Sequence, residues 1–164
     1  MVAHFLVLKI DNGKCYCYIH KYLGIKFGNN VRILHYPRWG SEPFLIEIGD
    51  NVTITRGVSF VNHDGGVALF RDEFKGLNSF GKIKVGNNVF IGHGVMFTND
   101  TFDSDLIENW NIKNTIVGDR VRIGSNSTIL PVKIGNNVII GAGSVVTKDI
   151  PDNVTVYGNP ARIK

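Results

Sequence analysis

Between Val117 and Lys148 an aliphatic residue returns at Val117, Ile123, Ile129, Ile134, Ile140 and Val146, at intervals of 6, 6, 5, 6 and 6 residues. A helix repeats at 3.6 residues and a strand at 2.0, so neither alone gives this spacing. Glycine, asparagine or aspartate follows the apolar residue in VGDRVR, IGSNST, IGNNVI and IGAGSV. That pattern describes very short strands separated by turns. Three such units make a coil of about 18 residues, so the chain is expected to stack on itself as a solenoid.

The coil openers extend this reading toward the N-terminus. Gly28-Asn-Asn-Val31, Gly49-Asp-Asn-Val52, Gly86-Asn-Asn-Val89, Gly118-Asp-Arg-Val121 and Gly135-Asn-Asn-Val138 are spaced by 21, 37, 32 and 17 residues. Relative to a coil of about 18, these imply insertions of about 3, 19 and 14 residues and then a deletion. The two long insertions are assigned to residues 64–81 and 101–114, and loops of that length in a compact domain are usually functional.

Aligning the openers predicts three inward columns: Ile48/Val85/Val117/Ile134, Ile54/Ile91/Ile123/Ile140 and Phe60/Phe97/Ile129/Val146. A further column, Gly57/Gly94/Asn126/Gly143, suits a turn that needs positive φ. Residues 1–26 lack the period and are expected to cap the open end. Asn12-Gly13 favours a hairpin there, and a short helix over Cys15–Leu23 is the alternative. The tail DIPDNVTVYGNPARIK is expected to end the stack at Pro151 and Pro160.

At 164 residues the chain is read as one solenoid domain, 27–164, behind its cap. A net charge of +4 from 18 basic and 14 acidic residues is too mild and scattered for a nucleic-acid protein, but it suits a few anionic groups such as cofactor phosphates. Cys15 and Cys17 are too close for an easy disulfide and have no second pair to complete a zinc site. They are read as reduced thiols. The apolar start Phe5–Leu8 is too short for a signal peptide or membrane span, so the expected compartment is the cytosol.

IGNNVIIGAGSVVTKDIP and the later GNPAR resemble the hexapeptide-repeat acyltransferases over roughly residues 27–163. The resemblance implies an all-β, left-handed parallel β-helix, here of about five coils with two loop insertions, an N-terminal cap and a short C-terminal tail. The left hand comes from the resemblance alone, because ordinary crossovers are right-handed. The resemblance also implies a homotrimer with an acyl-CoA site between subunits. Phe60-Val-Asn-His-Asp-Gly-Gly, followed by the first long loop, is similar to the segment carrying the catalytic histidine in sugar O-acetyltransferases of capsule and lipopolysaccharide assembly. One departure from the family pattern is the shortened unit Ile129-Leu-Pro-Val-Lys-Ile134, which lacks the glycine usual after the proline.

Acyl transfer from a thioester to a hydroxyl needs a base for the alcohol, a donor for the oxyanion and a proton for the departing thiolate. His63 is the expected base. The register places Phe60-Val-Asn-His63 directly under Phe97-Thr-Asn-Asp100. Asp100 is therefore expected to fix the imidazole tautomer, with Asp64 as the competing partner. Asn62 or Asn99 is expected to hold the oxyanion or the acceptor. The column Arg56/His93/Ser125/Ala142 shrinks toward the C-terminus and opens a groove. Ser125, Ala142, Thr147 and Lys148 match positions that contact CoA in related acetyltransferases, and Lys148 and Arg162 suit its phosphates. Arg38, Trp39, Phe70, Arg71 and Trp110 are placed in insertions, where aromatic rings and arginines suit either sugar capture or subunit packing.

The expected activity is acetyl-CoA-dependent O-acetylation of a sugar or polysaccharide precursor. Alternatives are N-acetylation of an amino sugar or sugar nucleotide, a β-helix carbonic anhydrase, and a silent scaffold. Only His63 and His93 lie on the coils, in different columns, so no metal is expected.

Overall fold

The computed structural model describes the backbone of residues 8–10 and residues 22–63, 65–99 and 113–164. The proposed turn at Asn12-Gly13, the helix alternative up to residue 21, Cys15, Cys17, Asp64, Asp100 and Trp110 lie outside the described residues. Among the described residues, no helix is long and apolar enough to cross a membrane.

The chain coils into a three-faced parallel β-helix. One face carries Lys26–Phe27, Ile46–Ile48, Ile83–Val85, Thr115–Val117 and Lys133–Ile134, each paired in parallel with the next. The second carries Val31–Ile33, Thr53–Ile54, Phe90–Ile91, Arg122–Ile123, Ile139–Ile140 and Thr155–Tyr157. The third carries Ser59–Phe60, Met96–Phe97, Thr128–Ile129 and Val145–Val146, and Arg38 extends it by a parallel bridge to Ser59. The faces follow one another in that order in every coil.

The inward columns pair in the predicted register, for example Phe60 with Phe97, Phe97 with Ile129, and Ile129 with Val146. All twelve predicted inward residues are buried. Because a strand here is only two or three residues long, alternation sends one or two side chains into the prism and the next one out. Burying one such aliphatic side chain contributes roughly 1.5–3 kcal/mol, and stacking coils merges these contributions into one continuous core.

Trp39 belongs to that core, which corrects its placement in an insertion. It is buried and stacks on Phe60 at 5.1 Å with an interplanar angle of 10°, and Phe60 stacks on Phe97 at 5.1 Å and 3°. The ring spacing matches the pitch of stacked strands, about 4.7–4.9 Å. Trp39 is therefore the third-face inward residue of the first described coil and is not available to stack on a sugar.

Two corners are built to a fixed pattern. Between the first and second faces, Asp50, Asn87, Asp119 and Asn136 each donate from the backbone N–H or accept at Oδ1 in an unbroken ladder. Asp50 N–H donates to Asn87 Oδ1 (2.8 Å), Asn87 N–H to Asp119 Oδ1 (2.7 Å), Asp119 N–H to Asn136 Oδ1 (2.8 Å) and Asn136 N–H to Asp152 Oδ1 (2.7 Å). The residue after each rung is left-handed: Asn51, Asn88, Arg120, Asn137 and Asn153 have φ between 55° and 62°. At the second corner Gly57, Gly94, Asn126 and Gly143 have φ of 77°, 68°, 58° and 70°, as the sequence column requires.

The third corner, from the third face back to the first, is where both long insertions leave. The short unit Ile129–Ile134 also falls there, and it is absorbed without loss of register, since Ile116 still pairs with Lys133 and Val117 with Ile134. The tail does not end the stack at Pro151. Thr155–Tyr157 first adds a parallel strand beside Ile139–Ile140, and Arg162–Ile163 then turns back on it antiparallel. At the other end of the same sheet, Leu8–Ile10 pairs antiparallel with Val31–Ile33.

Candidate active site

His63 stands at the third corner, three residues past Phe60, where the insertion 65–81 departs. That insertion opens with a 3-10 turn over Gly66–Phe70 and is braced by Arg71, whose Nε donates to Leu77 O (3.2 Å) and Nη2 to Asn78 Oδ1 (2.9 Å). Arg71, expected to capture substrate, thus holds its own loop. The returning chain closes on the histidine. Phe80 forms an antiparallel bridge with His63, their rings meet edge-on at 5.1 Å, and Gly81 N–H donates to Asn62 O (2.8 Å).

The carboxylate on His63 comes from the coil below. His63 Nδ1 lies 3.1 Å from Glu42 Oε1, with the two side chains 26% and 14% exposed. An ionised carboxylate can only accept, so a neutral His63 carries its hydrogen on Nδ1 and keeps the lone pair on Nε2. This is the tautomer a general base needs. Sequence reasoning missed Glu42 although its signal was present. Trp39 to Phe60 and Glu42 to His63 are both 21 residues, the same interval as Gly28 to Gly49.

Asn62 is fully buried, and its Nδ2 donates to the Glu42 carbonyl. It therefore has no exposed donor for an oxyanion, and its expected role changes from contact to support. Asn99, its counterpart one coil on, is similarly engaged. In the amide orientation its neighbours demand, Nδ2 donates to Lys113 O (3.2 Å) and Oδ1 accepts from Gly81 N–H (3.2 Å), so it ties together the returning ends of both insertions.

The candidate cofactor residues occupy two places. Arg56, His93, Ser125 and Ala142 stack at the second corner, joined by Gly94 N–H to Arg56 O (3.0 Å), Asn126 N–H to His93 O (2.7 Å) and Gly143 N–H to Ser125 O (2.8 Å). Ala142 is exposed and Ser125 half-buried. Thr147 and Lys148 are exposed at the third corner, farther along the stack than His63, and Arg162 is exposed on the terminal hairpin. Arg38 is exposed at the edge of the third face rather than in an insertion. Within one chain the third face thus separates Ser125 and Ala142 from the corner that holds His63. Two shallow depressions on the outer side of the first face, one around Lys26, Glu47 and Lys84 and one around Lys113, Ile116 and Lys133, do not include His63. Among the described residues, no three of His, Cys, Asp and Glu group as metal ligands.

A parallel β-helix with six-residue units and glycine or asparagine corners defines the hexapeptide-repeat class of proteins. The family model for the hexapeptide repeat of succinyl-transferase matches residues 114–148. Protein CapG of Staphylococcus aureus is 46% identical over 143 residues, covering 85% of this chain and 64% of CapG, so the chain spans somewhat less than two thirds of that relative. Among solved structures, the hexapeptide-repeat acetyltransferase VCA0836 of Vibrio cholerae aligns with a TM-score of 0.69 at 25% identity, covering 95% of this chain and 82% of that one. The same protein has been solved with acetyl coenzyme A. A maltose O-acetyltransferase of Clostridium difficile 630 aligns with a TM-score of 0.58 at 30% identity, covering 85% and 65%. The chain carries the hexapeptide repeat and is similar to hexapeptide-repeat acetyltransferases, and its fold is the left-handed parallel β-helix.

Proposed function

We propose that the protein is an acetyl-CoA-dependent O-acetyltransferase that acts on a hydroxyl of a sugar or polysaccharide precursor, with His63 as general base. The observation that carries this reading is the pairing of His63 Nδ1 with Glu42 at the mouth of an insertion, which leaves Nε2 as the basic atom. The similarity to a maltose O-acetyltransferase supports a sugar hydroxyl as acceptor.

In this mechanism Nε2 takes the proton of the acceptor hydroxyl as its oxygen attacks the thioester carbonyl. The new C–O bond forms, the tetrahedral oxyanion collapses and the C–S bond breaks. The imidazolium then returns the proton to the departing thiolate, giving the acetyl ester and free CoA thiol. Ser125 and Ala142 are proposed to line the cofactor groove, Thr147 to flank it, and Lys148 and Arg162 to meet its phosphates.

The site is proposed to form between subunits of a homotrimer, with residues 27–164 as the catalytic unit and 1–26 as its cap. Two observations support this. The cofactor residues and His63 lie at opposite edges of the third face. In addition, Met96, Thr128 and Val145, which alternate outward on that face, are uncharged, with Arg38 at its edge, whereas the first face presents Lys26, Glu47, Lys84 and Lys133 around Ile116. The proposed compartment is the cytosol, where acetyl-CoA is supplied.

A thiol-release assay with acetyl-CoA and a panel of sugars tests the activity. Acetyl groups released from the product by mild alkali identify an ester, and alkali-resistant acetyl groups identify the N-acetyl alternative. No acceptor-dependent thiol release across hydroxyl and amino sugars would rule out the transferase reading.

A further inference from the structure

Given the proposed general-base role of His63, we infer that Asn62 and Glu42 form a positioning relay: Asn62 fixes the main chain of Glu42, and Glu42 fixes the tautomer and direction of the His63 ring. Neither residue need touch the reacting atoms.

Glu42 begins at the backbone. It occupies the N-cap position of the 3-10 turn Pro43–Leu45, where a carboxylate could bond the turn's free N–H groups, yet it makes no side-chain cap bond. Its side chain crosses to the next coil and reaches His63 Nδ1 instead. The arrangement carries a cost, because Glu42 Oε2 is buried and has no hydrogen-bond partner among the described residues. A carboxylate serving only the fold would favour the local cap or solvent, since burying a charge incompletely bonded is unfavourable. Groups held at such a cost cluster at functional sites.

Asn62 shows the same signature. It is wholly buried, its Nδ2 serves the Glu42 carbonyl, and its Oδ1 lacks a partner among the described residues. The space around that oxygen is kept clear by Gly40, where a Cβ would lie 2.7 Å from Asn62 Oδ1 on a backbone with φ +71°. On the other side, the Asn62 carbonyl accepts the Gly81 N–H, next to the Phe80 ring that abuts His63. One residue thereby joins the two walls that hold the base, Glu42 below and Phe80 beside.

The test reads the tautomer directly, by long-range 15N–1H correlation of the His63 imidazole in the free, full-length protein at a pH where the ring is neutral. Wild type is expected to show hydrogen on Nδ1. Glu42→Gln keeps an acceptor oxygen in place and should retain that tautomer. Glu42→Ala and Asn62→Ala should give a mixture with the Nε2–H form, lower kcat by roughly tenfold or more, and leave KM for acetyl-CoA unchanged, as loss of an orienting group does. If Asn62→Ala fails to fold, Asn62→Ser removes the amide that reaches the Glu42 carbonyl with less loss of volume. A wild-type ring with hydrogen on Nε2, or an unchanged tautomer in folded Glu42→Ala or in the folded Asn62 variant, would overturn the relay. The tautomer is measured without substrate. A correct tautomer series in a protein that acetylates nothing would therefore sink the transferase reading alone.

Discussion

Arg120 holds φ +55° in a column whose other members are asparagines. A left-handed backbone costs a branched or long side chain roughly 1–2 kcal/mol, whereas asparagine tolerates it. Arg120 keeps its rung by donating Nε to Asn137 Oδ1, as Asn30 and Asn137 donate Nδ2 to Asn51 and Asn153 (2.8 Å each). Arg120→Asn should therefore preserve the bond while easing the backbone, raising stability by about 0.5–1 kcal/mol and Tm by about 1–4 °C. A fall in Tm on thermal melting would refute this account of the column. At the candidate site, His63→Ala should lower kcat by about 10²–10⁴-fold with little change in acetyl-CoA affinity, measured by steady-state kinetics beside a binding titration. Counting one coil down from His63 reaches Glu42, so that carboxylate was legible in the sequence. Reading the 21-residue coil as carrying residues 38–39 in its insertion hid Glu42 and sent Trp39 to the surface. The place of the extra residues inside that coil is set by the packing of Trp39 on Phe60, which opener spacing does not register.

At the scale of one coil, close approach sets the tolerance for change. A Cβ on Gly86 would lie 2.5 Å from Asp119 Oδ1 and 2.7 Å from Gly118 O, atoms of the corner ladder itself. Gly86→Ala must therefore pry two coils apart. It should cost more than about 2 kcal/mol in denaturant unfolding, whereas Gly143→Ala, with open space around it but φ +70°, should cost only about 1 kcal/mol. Equal losses would show that coil contact is not what the first glycine column serves. On the first face, Lys26 donates to Glu47 at 2.8 Å and, with Lys84 and Lys82 nearby, holds the Glu47 carboxyl below its usual range. A lowered pKa contributes stability above the ordinary carboxylate range, and that contribution is lost as pH falls through the lowered value. Glu47 is largely solvated, so Glu47→Gln should cost only a few tenths of a kcal/mol at neutral pH and nothing in strong acid. The periodic faces were legible because one apolar residue per face repeats, and the tail strand Thr155–Tyr157 was not, because Pro151 and Pro160 read as terminators. Pro151 in fact sits in a turn between paired residues, where no ladder donor is needed.

For the whole molecule, the stretch of the third face that carries the outward row Met96, Thr128 and Val145 is expected to be the subunit contact. Light scattering coupled to size exclusion should give three chains per particle. Thr128→Arg, placed in that row, should dissociate the particle and abolish acetyl transfer together, and a monomeric variant with full activity would show that the site is complete in one chain. The chain's twelve-residue runs from the first face to the third are identical in length in every described coil: Phe27 to Trp39, Ile48 to Phe60, Val85 to Phe97, Val117 to Ile129 and Ile134 to Val146. All variation in length falls at the third corner, beside His63. Two sides of the prism thus behave as a ruler and the third as a socket. A segment can be exchanged there for a longer or shorter one without shifting a single rung, so under the proposed activity the acceptor range can diverge while the frame stays fixed. Chimeras that transplant residues 65–81 between relatives of this class should fold at parental stability and carry the donor's acceptor preference with them.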